Sequence, residues 1–101
     1  MATYRMDDNT VVKTENSIRF WTEATRWDGR NHISVPTGSQ WNHETLYKSK
    51  KGRYYIEYES QWQGSTPHAE WVSNREAARW LLTNGYELPK SLSGLEEEVS
   101  E

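Results

Sequence analysis

Four cations fall within six residues: Lys48, Lys50, Lys51 and Arg53, with Tyr47, Tyr54 and Tyr55 alongside. Clustered ammonium and guanidinium groups neutralise phosphates, and neighbouring rings give bases a surface to stack on. This run is a candidate nucleic-acid contact. The plainer role for such lysines is to solvate a hairpin and guard its strand edges. A second candidate is Ser60-Gln61-Trp62-Gln63-Gly64. Trp62 is a large apolar anchor there, and Gln61 and Gln63 supply adaptable hydrogen bonds. With Tyr55 they make a candidate partner-binding set, because Trp and Tyr dominate contact hot spots. The alternative for Trp62 is to tuck under a sheet.

Catalytic constellations are thinner. His32, His43 and His68 fall in or beside loops, and no H-E-x-x-H occurs. His43 and Glu44 are neighbours on a strand and face opposite ways. Glu57 and Glu59 share a strand face about 7 Å apart, a spacing that resembles a glycosidase pair. An open strand face raises neither carboxyl, so both read as solvated. No glycine-rich phosphate loop or dinucleotide fingerprint is present. The chain reads as a non-enzyme with no metal and no cofactor.

These residues must be positioned by a single domain, since 101 residues leave no room for a second core. Lys and Arg number 12 against 15 Asp and Glu, a net charge of −3. Four of those acids (Glu96, Glu97, Glu98 and Glu101) sit in the last six residues. The remainder is near neutral and has room for a local basic patch. Cysteine is absent, which excludes disulfide scaffolds, zinc knuckles and thiol catalysis. The first residues lack the apolar stretch of a signal peptide, and no apolar run approaches membrane length. The expectation is a soluble cytoplasmic protein with no membrane contact.

Leu, Ile, Val and Phe total only 15 residues, a level normally read as disorder. Six Trp and six Tyr replace the missing aliphatics. Each ring can bury roughly 150–250 Å², so a few suffice for a thin core with half-exposed aromatics.

Residues 1–9 are polar and read as frayed. Thr10 to Thr14 is β-prone, and Glu15-Asn16-Ser17 is a turn. Ile18 to Trp27 alternates, with Ile18, Phe20, Thr22 and Ala24 on one face. Asp28-Gly29 then turns the chain into a returning strand, His32 to Val35. A loop follows to about His43. Glu44 to Ser49 and Tyr54 to Ser60 form a hairpin around Lys50-Lys51-Gly52-Arg53. Tyr54, Ile56 and Tyr58 share one face, Tyr55, Glu57 and Glu59 the other. Gln61 to Pro67 is a loop, and His68 to Val72 a third strand.

Ser73-Asn74-Arg75-Glu76 is a capping box: the serine hydroxyl takes an orphan amide and Glu76 reaches back. The helix from Asn74 presents Ala77, Ala78, Trp80, Leu81 and Leu82 as an apolar stripe, and Asn84-Gly85 is a left-handed stop. Leu88-Pro89 and Leu92 fold back as a lid. The fold class is α+β, an antiparallel meander of about five short strands with one C-terminal helix on a sheet face. The domain spans 1–92, followed by an acidic, disordered tail at 93–101.

Residues 44–84, three strands with a basic glycine hairpin and then Val72-Ser73-Asn74-Arg75-Glu76-Ala77-Ala78-Arg79-Trp80-Leu81, resemble the arm-type DNA-binding domain of phage integrases. That resemblance implies a sheet laid into a DNA major groove. Glu57 and Glu59, on the face with Tyr55, depart from it, and the family's sheet arginines have no clear counterpart beyond Arg53. Residues 46–89 look like a set of small uncharacterised bacterial proteins. They share Gly52-Arg53-Tyr54-Tyr55, Ser60-Gln61-Trp62-Gln63-Gly64 and Glu76-Ala77-Ala78-Arg79-Trp80-Leu81-Leu82. The leading expectation is a small bacterial binding or regulatory module acting through protein contacts, with self-association extending its core. The alternative is a DNA-binding accessory protein using the 48–53 hairpin.

Overall fold

Short strands, alternating side chains and one capped helix organise the chain around a central sheet. The computed structural model describes residues 3–30, 32–38, 41–60, 66–89 and 92. Its elements are β1 (Thr3–Arg5), β2 (Val11–Lys13), β3 (Arg19–Thr22), β4 (Thr25–Trp27), β5 (His32–Ser34), β6 (Asn42–Lys48), β7 (Tyr54–Ser60), β8 (His68–Val72) and α1 (Asn74–Thr83). The main sheet is antiparallel in the order β3-β6-β7-β8, while β1-β2 and β4-β5 are separate hairpins. The α+β layout, antiparallel with one C-terminal helix, is as expected; the described residues form eight short strands in three sheets where the sequence predicts about five.

The alternation assigns each face of the sheet its own core. On one side Trp21, Leu46, Tyr54 and Ile56 pack against Ala77, Ala78, Trp80 and Leu81 of α1. Leu92 is fully buried in the same core, with Leu88 packed against it, so the segment after the helix does fold back. Ser73 caps α1: its hydroxyl accepts from the Glu76 amide at 3.1 Å and donates to the Glu76 carboxylate at 3.2 Å. At the other end Gly85 takes a φ of +81°, open to glycine without a Cβ penalty. There Tyr86 N–H reaches Leu81 O and Gly85 N–H reaches Leu82 O, a Schellman stop. Ten residues make α1, and among the described residues no helix is long and apolar enough to cross a membrane.

The opposite face corrects two expectations. Residues 3–9 are not frayed: β1 pairs antiparallel with β2, and Met6 is only 2 % exposed. This hairpin lies over the sheet, where Met6, Val12, Tyr55 and Ala69 form a second core with Tyr4, Tyr47 and Trp71 at its margin. Glu57 is therefore not solvated. It is 6 % exposed, and its carboxylate accepts from the Tyr4 hydroxyl at 2.5 Å and the Tyr47 hydroxyl at 3.3 Å. A buried carboxylate needs such donors to replace water.

Ile18 to Trp27 is likewise not one strand. The break at Glu23-Ala24 is held by contacts with residues distant in sequence. Ala24 N–H donates to the Asn84 side chain at 2.7 Å, tying the chain to the end of α1. Glu23 turns aside to accept from the Glu44 amide and lies 2.8 Å from His43 Nδ1. The chain then continues as the β4–β5 hairpin, in which Trp27 pairs with His32 as the Asp28-Gly29 turn predicts. The acidic tail at 93–101 lies outside the described residues.

Candidate functional site: a basic cleft beside the 49–53 hairpin

The β6–β7 turn is built so that its lysines face outward. Ser49 is buried, its hydroxyl accepts from the Arg53 amide at 3.0 Å, and Ser49 N–H donates to Arg53 O at 2.7 Å. Gly52 closes the loop with a φ of +90° and donates to Ser49 O. Lys50 and Lys51 are left exposed at the tip. Across from them runs β2, then a 3-10 turn at Thr14–Asn16, fastened by a 2.6 Å hydrogen bond between the Ser17 and Tyr55 hydroxyls.

Between these two segments lies a cleft of about 440 Å³, within the range of ligand pockets. Lys13, Lys50, Lys51 and Arg53 line it together with Tyr55 and Trp71, and none of the described residues that line it carries a carboxylate. Like charges around one concavity focus the field and favour an anion there, the three lysines most directly. Arg53 is already engaged: its guanidinium sits 3.8 Å from the Trp71 ring centroid and 3.3 Å from Asp8. Asp8 also accepts from Trp71 Nε1 at 3.2 Å and from the Thr10 amide at 3.0 Å. Hydrogen bonds from Thr10, followed by those from Trp71 and Arg53, hold the Asp8 carboxyl well below the usual range.

The predicted residues are thus redistributed. Lys50, Lys51 and Arg53 come together, but Lys48 does not join them. It points to the α1 side, over the Tyr54 ring at 5.6 Å, with its register partner Arg19 over Trp21 at 4.7 Å. Lys13 takes its place, a residue with no local signal linking it to a loop so far along the chain. Tyr55 is fully buried, stacked on Tyr47 with centroids 5.1 Å apart and edge-on to Trp71. It is a core ring rather than a surface anchor, because the β1–β2 hairpin covers its face. Gln61, Trp62 and Gln63 lie outside the described residues.

The remaining titratable groups disperse. A second cleft of about 460 Å³ brings His43, Glu44, Tyr58, Glu59 and His68 to the far end of β6 and β7. His43 is held by Glu23, His68 stacks on Tyr58 at 4.9 Å, and His32 meets Trp27. Glu44 accepts from Trp80 Nε1 at 2.9 Å. Burial nevertheless pushes its carboxyl up, with Glu23 adding to the rise. Burial, then the charges of Glu44, Glu70 and Glu76, raises Tyr58 to about 12. Among the described residues no three His, Asp or Glu side chains form a group able to hold a metal ion. Comparison with protein families, with curated proteins and with solved structures finds no match to this chain.

Proposed function

We propose that this chain is a non-enzymatic binding module whose ligand is a nucleic-acid strand, held by its phosphates in the basic cleft. The observation that carries this reading is the convergence of Lys13, Lys50, Lys51 and Arg53 on one concavity whose described lining residues include no carboxylate. Outside the acidic last six residues the chain is near neutral, so a local cluster of cations is enough to attract a polyanion. The mode differs from the one implied by the resemblance to integrase arm domains. The sheet face that would enter a major groove is covered here by β1 and β2. On this reading the protein works without a cofactor in the bacterial cytoplasm, where nucleic acid is at hand.

The test is a binding titration at low salt with two charge reversals. Lys50→Glu combined with Lys51→Glu abolishes binding, whereas Lys48→Glu, on the α1 side, leaves it nearly unchanged. Equal loss from both variants would mean that charge acts diffusely and that the cleft is not the site.

A protein-contact reading keeps one specific support. β3 is an edge strand of the main sheet, and it exposes Phe20 at 61 % with Ile18 beside it at 62 %. Apolar side chains on an open edge are a template for pairing with another chain or a second copy. Trp62, Gln61 and Gln63 remain candidate anchors under this reading. A light-scattering mass at twice that of the monomer, returning to the monomer value with Phe20→Lys, would favour it.

A further inference from the structure

The β4–β5 hairpin stands out from both cores. Every residue of β4 is exposed, and Arg26, Trp27 and His32 belong to neither core. Its base is firmly held: Ile33 and Ser34 are buried, Ala24 N–H is bound by Asn84, and Val35 N–H donates to Ala24 O at 2.9 Å. The hairpin is thus an arm with a fixed base and a bare outer part.

That outer part has a particular chemistry. Trp27 is 61 % exposed, with its ring centroid 5.1 Å from that of His32 in an edge-to-face contact. An edge-to-face partner orients an indole without covering it. Arg30 lies in the turn three residues on and Arg26 on the opposite face of the hairpin, where register sets it against Ile33; both are exposed, and Asp28 accepts the Arg30 amide at 2.8 Å. An oriented, uncovered indole on an arm that also exposes the Arg30 guanidinium matches the stacked base and a nearby phosphate of a single strand. In a duplex both faces of each base are already stacked, so the platform suits an unpaired base.

We propose that Trp27 is a base-stacking platform and that the arm is a second contact for single-stranded nucleic acid, with Arg30 on a phosphate. This inference rests on the reading of the basic cleft as a nucleic-acid site. Register pairs Arg19 with Lys48, next in sequence to the basic turn, and Thr22 with Thr45. Strand β3 therefore spans about 10 Å between the level of that turn and the start of the arm. The longest dimension of the molecule is 38 Å, so one strand of several nucleotides reaches both contacts.

The experiment uses the full chain and fluorescence anisotropy with a labelled oligothymidine of about 15 nucleotides. Trp27→Ala weakens binding about tenfold or more, as loss of a base–ring stack does, and Trp27→Phe recovers most of it. Inorganic polyphosphate, which has charge but no bases, competes equally well against the wild type and Trp27→Ala. Melting curves of the variants superimpose on the wild type, because the ring is outside both cores. Unchanged oligothymidine affinity in Trp27→Ala, with binding still abolished by the Lys50 and Lys51 reversals, would overturn the arm and leave the cleft standing. An equal Trp27 dependence with a duplex of the same length would overturn the single-strand assignment. If neither oligothymidine nor polyphosphate bound the wild type, the cleft reading would fail and the arm with it.

Discussion

Tyr4 and Tyr47 hold the Glu57 carboxylate between the sheet and the β1–β2 hairpin, and their own titration follows from that position. Burial first, then the neighbouring Glu57 charge, pushes both phenols above their ordinary value. In the unfolded chain a tyrosine ionises near pH ~10. The stabilisation is therefore complete below about pH 10 and is lost as pH rises from there towards the folded-state values. Tyr4→Phe should cost about 1–3 kcal/mol at neutral pH, the range for removing a donor from a buried acceptor. It should also make the alkaline loss of stability shallower, as urea titrations at several pH values would register. Little of this is readable from the chain order. Glu57 alternates with Tyr55 and Glu59 like any solvent-facing residue, and its burial depends on a tyrosine 53 positions away.

Among the elements, β7, β8 and α1 are the ones most visible in sequence. Their signals are local: period-two alternation, a serine three residues before a glutamate, and Asn-Gly at the stop. Two outcomes check that reading. Ser73→Ala should destabilise the protein by about 0.5–2 kcal/mol in thermal melts, and Leu81→Ala, at a fully buried position, by about 2–5 kcal/mol. An unchanged melting temperature for Leu81→Ala would place the wrong face of α1 against the sheet. In the β1–β2 hairpin only β2 has a local signal, the β-prone Thr10 to Thr14. Each strand is three residues long, too short for a periodicity, and the hairpin's packing relies on Met6, Val12 and Tyr4 among polar neighbours. The cleft inherits the same difficulty. Lys50, Lys51 and Arg53 are contiguous enough to notice, whereas Lys13 joins them only because β2 and the turn after it are folded onto the sheet.

The whole molecule is flat, with extents of 38 × 35 × 19 Å, and divides its aromatic residues between a core on each side of one sheet. A layer this thin leaves rings at the margins, so exposed tryptophan is a natural outcome of a core poor in aliphatics. Composition predicts that trade, but not which ring is exposed, because Trp21, Trp27 and Trp80 differ only in what the folded chain lays over them. The central claim concerns charge at this scale: a chain of net charge −3 still captures a polyanion through one cleft. Lys13, Lys50 and Lys51 are the cleft cations exposed for this task, with Arg53 shared with Asp8. The most direct measurement is the affinity for a labelled single strand across a series of salt concentrations. Each neutralised phosphate contributes about −0.7 to the slope of log affinity against log salt. The three exposed cleft lysines therefore contribute about −2 to the slope, which Lys13→Gln makes shallower by about 0.7. A flat salt dependence, or no binding at the lowest salt, would contradict the account.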